Sequence, residues 1–173
     1  HDIAFYPDHP SMIGPFIEAF TYLYLKKPLV RKKKNYYSIK VSSKFACLDL
    51  IETVDFGLHK WRVPFSFLNT KESKIEWLRS FFDCEGYVGD RDIRVQSVNE
   101  KGLQQVKKLL GELGIESKMY KYERKNENWN TNYILSIMKK DHKRMYLNKI
   151  GFNHILKLNK LKLQFQASVP ESG

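Results

Sequence analysis

Leu78-Arg79-Ser80-Phe81-Phe82-Asp83-Cys84-Glu85-Gly86 is the stretch whose reading decides the fold. An apolar helical face running from Ile75 to Phe82 meets an acid, Glu85, and then glycine at once. The C-terminal end of a helix carries partial negative charge, so Lys, Arg or His is the usual residue there and a carboxylate is repelled. A carboxylate in that place needs a compensating partner, and a bound cation is an obvious one. The plain alternative is a core helix that happens to end in Asp-Cys-Glu-Gly.

Working outward, the chain is a tandem repeat. At an offset of 90 residues Asp2-Ile3 meets Asp92-Ile93, Phe5 meets Val95, Phe16 meets Val106, Phe20 meets Leu110, Leu23 meets Leu113, Leu25 meets Ile115 and Leu29 meets Met119. The offset then grows to 96: Tyr37 meets Tyr133, Ile39 meets Leu135, Val41 meets Ile137, Lys44 meets Lys140, and Phe56 meets Phe152. The extra residues of the second copy fall in the polar stretch Tyr122 to Thr131, which reads as a hairpin tip because insertions collect in loops.

Each copy reads strand, helix, two strands, helix. In the second, 92–97 alternates as a strand and 100–113 is helical, with Asn99 as N-cap and Gly114 as C-cap. Residues 116–122 and 132–138 pair as a hairpin, 143–149 is a short helix and 154–166 another. In the first, 11–23 is the helix, 29–34 and 36–41 the hairpin, and 44–53 the second helix. The helix 73–86 and the strand that follows it have no counterpart in the first copy. We therefore expect a remainder of a longer polypeptide whose first such helix lies upstream. The division expected is 1–60 for an incomplete first half, 61–72 for a linker, 73–166 for the second half and 167–173 for a tail.

A chain of 173 residues suits one domain, or two small ones sharing an interface. Thirty Lys+Arg against nineteen Asp+Glu give a net charge of +11. That excess points to a polyanion, nucleic acid before an anionic membrane, against the alternative of a generally basic protein. No apolar run approaches the roughly 20 residues of a membrane span, and no signal peptide opens the chain. An intracellular setting, the cytoplasm or nucleoid of a prokaryote, is expected. Cys47 and Cys84 lie far apart, read as reduced, buried thiols, and cannot build a zinc site. The five histidines show no metal-ligand spacing.

The nonamer resembles the signature of the LAGLIDADG homing endonucleases, with Leu78 at the leucine, Ser80 at the first glycine, Phe81-Phe82 at Leu-Ile, Asp83 at the first Asp, Glu85 at the last acid and Gly86 at the final glycine. Arg79 and Cys84 fall at the two alanines. Trp61-Arg62-Val63-Pro64, Ser97-Val98-Asn99 and Leu113-Gly114-Ile115 resemble the archaeal intron- and intein-type branch. The resemblance implies an α+β fold: tandem αββαββα half-domains related by a pseudo-two-fold axis, with saddle-shaped antiparallel sheets and paired signature helices. It further implies a site-specific endonuclease that hydrolyses both strands of duplex DNA with a divalent metal. Mg²⁺ is the expected cofactor, with Mn²⁺ as a substitute and Ca²⁺ supporting binding without cleavage. Glu85 would be the metal-binding carboxylate and the Cys84 backbone carbonyl a second ligand, while Asp83 is expected to cap or salt-bridge within the fold. Lys44 and Lys140 resemble the family's basic residue near the scissile phosphate, and read equally as helix-start lysines on solvent. The missing first motif helix would come from an upstream segment or a separate chain.

Period-two alternation assigns the sheet faces. Arg94, Gln96, Lys118, Tyr120, Tyr122 and Ser136 are expected on the DNA-facing side of the second sheet, and Ile93, Val95, Met119, Tyr133, Leu135 and Ile137 on its core side. In the first copy Val30, Lys32, Lys34, Tyr36, Ser38 and Lys40 are expected outward. Such a face can enter the major groove, where base edges carry a full donor–acceptor code. A degenerate, non-cleaving relative acting as an RNA maturase or DNA-binding protein would carry the same sheets.

Overall fold

The computed structural model describes residues 1–122 and 130–166. The second unit begins with α3 (Lys71–Glu85) and continues through β4 (Tyr87–Val88), β5 (Ile93–Ser97), α4 (Glu100–Glu112), β6 (Lys118–Tyr122), β7 (Asn132–Ile137), α5 (Lys140–Lys149) and α6 (Ile155–Leu163). The first unit comprises β1 (Asp2–Phe5), α1 (Ile13–Tyr24), β2 (Leu29–Lys32), β3 (Tyr37–Ser42) and α2 (Lys44–Thr53). Both sheets are antiparallel, in the orders β1-β3-β2 and β4-β5-β7-β6. The repeat is therefore real at the level of topology: β1-α1-β2-β3-α2 matches β5-α4-β6-β7-α5, and the first sheet has no strand in the place of β4. The inserted hairpin tip at 123–129 and the tail at 167–173 lie outside the described residues.

The helix ends follow from local chemistry. Thr70 caps α3: its hydroxyl accepts the Ser73 N–H at 3.0 Å and the Ser73 hydroxyl accepts the Thr70 N–H at 3.1 Å. This reciprocal pair starts the helix two residues earlier than expected. Asn99 caps α4 by accepting the Gly102 N–H at 3.0 Å, and its amide donates to the Trp61 carbonyl at 2.7 Å. That second bond, with Val63 N–H donating to Gln105 at 2.9 Å, straps the segment 61–68 onto α4. Trp61 fits because Gly102 has no side chain; a Cβ there would lie 2.6 Å from the indole. The stretch expected as a linker is thus packed onto the second core, with Val63 and Leu68 buried.

The second unit holds the large core, in which Leu78 and Phe82 of α3 meet Leu103, Val106 and Leu110 of α4 and Tyr146 of α5. Phe82 and Tyr146 rings lie 5.2 Å apart, edge to face. The first core is small: Phe20, Val41 and Ala46, with Ile3, Phe16 and Tyr24 around them. Phe45, Leu48 and Ile51 of α2 are exposed, and of these Ile51 takes the place of Leu147, which packs on the second core beside α3.

The two copies are out of step by one residue more than the sequence suggests. Ile3 opposes Val41 as Ile93 opposes Ile137, so the strands β1 and β5 keep the offset of 90. Val30 opposes Ile39 as Met119 opposes Leu135, which is an offset of 89. The left-handed residue ending each first helix agrees: Leu25 has φ +52° where Gly114 has φ +80°. The first copy therefore carries one residue more than the second between its first strand and the end of its first helix. Leu23, matched by sequence to the buried Leu113, is 65% exposed, and Tyr24 takes its place. A one-residue slip moves every side chain to the other face of a strand. Val30 and Lys32, expected outward, therefore lie on the core side of β2, opposite Ile39 and Tyr37. Lys32 is solvent-exposed only because it stands at the strand end.

Candidate nucleic-acid interface and helix-end carboxylate

Residues directly opposed in an antiparallel ladder share a face. One row crosses the whole second sheet: Tyr87 opposes Arg94, Arg94 opposes Ser136 and Ser136 opposes Lys118. The next row runs Gln96, Ile134, Tyr120, and the third adds Asn132 opposite Tyr122. Arg94, Gln96, Lys118, Tyr120, Tyr122 and Ser136 thus share one face, opposite the buried Ile93, Val95, Leu135 and Ile137. Ser136 is on the right face but closed over: it is 3% exposed and its hydroxyl donates to Asp92 at 2.8 Å. Ser38 is likewise 5% exposed. Both serines were expected as DNA contacts and neither is accessible. In the first sheet Lys40 and Arg31 point outward, opposite Leu29 and Ser38 respectively. Arg31 was missed because of the one-residue slip. Lys34 and Tyr36 sit in the tight turn closed by Lys33 N–H donating to the Tyr36 carbonyl at 2.8 Å, and the Tyr36 ring meets Tyr6 edge-on. Tyr87 and Asn132 are further outward residues that strand parity alone would have found.

At the end of α3 the two acids have opposite surroundings. Asp83 is 3% exposed, and its carboxylate accepts the N–H groups of Asn153 at 3.1 Å and His154 at 3.0 Å, where α6 begins. It is the cap it was expected to be. Burial pushes its pKa up, against the lowering effect of those two bonds and of Lys157 and His154. Glu85 is exposed and has neither a hydrogen bond nor an ion pair among the described residues. Gly86 follows because the chain turns hard against its own helix: a Cβ there would lie 2.5 Å from the Phe82 carbonyl.

The compensating charge at this helix end is partly supplied by the protein. Lys157 of α6 donates to the Asp83 carbonyl at 2.6 Å and to the Phe82 carbonyl at 3.3 Å. Burial pulls its pKa down, while Asp8, Asp83, Cys84 and Glu85 oppose that shift. Lys157 was not singled out from sequence, since it lies 74 residues from the carbonyl it binds. The next carbonyl, that of Cys84, accepts no hydrogen bond among the described residues. Cys84 itself is exposed, contrary to the expected burial, while Cys47 is buried, and both thiols are free. Desolvation raises the Cys84 pKa, and Glu85 and Asp83 add to it, so the thiol stays protonated.

Glu85 opens into a groove of 840 Å³ between the outer side of α3 and the segment that leaves the first unit. Trp77, Ser80, Phe81 and Cys84 form its helix wall, Val54 to Leu58 the opposite wall, and Gln96 and Asn132 its sheet end. Lys44 and Lys140 are exposed first residues of α2 and α5 and do not line this groove. No cluster of three or more His, Cys, Asp or Glu side chains able to hold a metal occurs among the described residues. Among the described residues no helix is long and apolar enough to cross a membrane.

Two antiparallel sheets in repeated order, with a basic outer face and a helix ending in acid–glycine beside it, define an α+β protein built from tandem half-domains. Residues 72–151 match the LAGLIDADG-like domain, a segment that spans the second unit from α3 to α5. The fold is also that of solved homing endonuclease structures. I-DmoI in complex with DNA and Mn superposes with a TM-score of 0.61 at 16% identity, over 86% of this chain and 80% of that one. Mesophilic variants of I-DmoI give 0.60 at 18%, over 86% and 74%. Full-length DUF199/WhiA from Thermatoga maritima gives 0.56 at 15%, over 96% of this chain and 54% of that one. No curated protein matches the chain by sequence.

Proposed function

We propose that this chain acts in a site-specific DNA endonuclease, with half-domains at 1–60 and 73–166 each laying its sheet on one half of a long duplex site. One observation carries the reading: an unpartnered carboxylate, Glu85, stands with the free Cys84 carbonyl at the end of α3, beside a sheet face bearing Arg94, Gln96 and Lys118. These two oxygens suit a hard divalent cation, which needs few protein ligands when waters and phosphates complete its shell. When bound, such an ion supplies activation of water and offset of charge on the scissile phosphate. The complexes of I-DmoI with DNA and with Mn, Mg or Ca support the same choice of partner and ions. Lys34, Tyr36, Lys40, Arg31, Lys118, Tyr120 and Tyr122 contribute phosphate and groove contacts. Lys44 and Lys140, outside the groove, are assigned to phosphates flanking each sheet.

The groove takes a second helix, from outside residues 1–173 or from another chain. The repeat supports this. Leu50, Ile51 and Val54 stand where Tyr146, Leu147 and Ile150 pack around α3 in the second unit, and Ile51 is left exposed. A helix seated there would cover this surface on one side and Trp77, Ser80, Phe81 and Cys84 on the other.

The test is to incubate the full-length protein with a randomised duplex library in Mg²⁺ and sequence the cut ends. A recurrent cut within one enriched site is expected. Enrichment by binding with no cut would favour the non-cleaving reading, which one observation supports: the Lys157 ammonium already brings positive charge to this helix end without a metal.

A further inference from the structure

An acid sits among the cations of the second sheet's outer surface. Asp92, just before β5, has one carboxylate oxygen 3.5 Å from an Arg94 guanidinium nitrogen. Its other oxygen accepts the Ser136 hydroxyl at 2.8 Å. The Arg94 guanidinium also stacks over the Tyr87 ring, 4.8 Å from its centre, and the Lys160 ammonium lies 5.1 Å from that same ring. The turn before β5 is shaped around the carboxylate. The Gly89 N–H donates to the Asp92 carbonyl at 2.8 Å, and a Cβ on Gly89 would lie 2.6 Å from the Asp92 side chain. Behind the turn, Gln164 donates to the Gly89 carbonyl at 2.7 Å and accepts from the buried Lys143 at 2.7 Å. The first unit does not repeat the device: Asp2, at the place of Asp92, accepts the hydroxyl of Ser42, which stands where Met138 does, while Lys40 stands where Ser136 does and Ala4 where Arg94 does.

Asp92 accepts the buried Ser136 hydroxyl and favours the charge of the buried Lys143, but neither requires its pairing with Arg94. That pair, 3.5 Å long with Arg94 40% exposed, contributes little to folding, and a carboxylate on a surface that meets phosphates opposes binding electrostatically. Orientation explains the pairing. The guanidinium is a rigid planar fork, and its recognition of a guanine edge requires both donors to be aimed at once. A long side chain free to sample rotamers must be ordered on binding; one held beforehand loses less.

We propose that Asp92 is a positioning residue: held by Ser136 and by the Gly89 turn, it aims the Arg94 guanidinium, so base preference in this half-site depends on an acid that touches no DNA. This rests on the reading of the sheet as the DNA-binding face.

The experiment selects bound duplexes from a randomised library by gel shift in Ca²⁺ with the full-length parent protein, and repeats the selection with Arg94→Ala, Asp92→Asn and Ser136→Ala. Arg94→Ala locates the base position that this arginine reads. Asp92→Asn keeps the shape and the acceptor for Ser136, so folding is retained. It is expected to lower preference at that same position by roughly fivefold or more, toward the Arg94→Ala level. Affinity for random duplex should meanwhile stay level or rise, because a negative charge has gone. Ser136→Ala should move preference the same way, more weakly. A merely structural role would lower binding to all sequences together. If the parent enriches a site and Asp92→Asn keeps the Arg94-dependent preference, or weakens all sequences equally, the inference is overturned while the DNA-binding reading stands. If the parent enriches no sequence, the reading of a site-specific binder fails, and the inference fails with it.

Discussion

Asp83→Ala and Glu85→Gln alter two acids one residue apart, and the structure gives them opposite consequences for stability. Asp83 is buried and satisfies two N–H groups at the start of α6. Alanine leaves both without this acceptor, the His154 N–H buried and the Asn153 N–H part-buried. An unsatisfied buried donor costs about 1–3 kcal/mol, and the part-buried one adds up to about as much again. Against this stands the relief of a carboxylate that burial disfavours, seen in its raised pKa. A net loss of about 2–4 kcal/mol is expected, which for a chain of this size lowers Tm by roughly 5–12 °C. Asp83→Asn keeps one acceptor and should fall between. Glu85 is exposed, unpartnered and at the unfavourable end of its helix, so Glu85→Gln should stay within about 0.5 kcal/mol of the parent, or gain slightly. Urea unfolding followed by far-UV circular dichroism measures both. A loss under 1 kcal/mol for Asp83→Ala, or a larger loss for Glu85→Gln than for Asp83→Ala, would refute the division of roles between the two acids.

Leu25 carries a left-handed φ of +52° with its side chain in solvent, so Leu25→Gly should raise stability by about 0.5–1 kcal/mol, read as a rise in the urea midpoint. Burial lowers the Lys143 pKa, so the folded state holds fewer protons than the unfolded one below 10.5. Stability from this group therefore rises with pH between its depressed value and 10.5, and Lys143→Met should flatten that rise in thermal melts across the alkaline range. Duplex affinity should fall steeply with salt, with a log–log slope of about −0.9 for each phosphate neutralised; a flat dependence would remove the basic faces as the docking surface.

The fold was legible because its signals are local and repeated. The α4 face shows Leu103, Val106, Leu109 and Leu110 at helical spacing between Asn99 and Gly114; the structure keeps the Asn99 cap and ends the helix one residue early, at Glu112, with Leu113 as C-cap and Gly114 as the left-handed residue after it. The strand faces of β5 and β7 follow from alternation of Ile93, Val95, Leu135 and Ile137. What failed was alignment across a one-residue difference in length. Leu23 and Leu29 are as apolar as the residues they were matched to, so hydrophobicity alone could not reveal the extra residue of the first copy. The left-handed turn at Leu25 reveals it only in three dimensions. At the candidate site the acid pair was legible, since Asp83 and Glu85 differ in which side of α3 they take. Lys157 was not, because it reaches the end of α3 only through packing between α6 and α3. The burial of Ser38 and Ser136 was equally hidden, because parity gives a face and not what covers it.

The central claim is that Glu85 serves bond breaking and not folding or docking. Nicking and linearisation of supercoiled plasmid carrying the selected site would be followed in Mg²⁺, beside a gel shift in Ca²⁺, for the full-length protein and its Glu85→Gln variant. Glu85→Gln should stop cleavage of at least one strand while its gel-shift affinity stays near that of the parent, because the sheets supply the binding. Cleavage of both strands at the parental rate by Glu85→Gln would contradict the account.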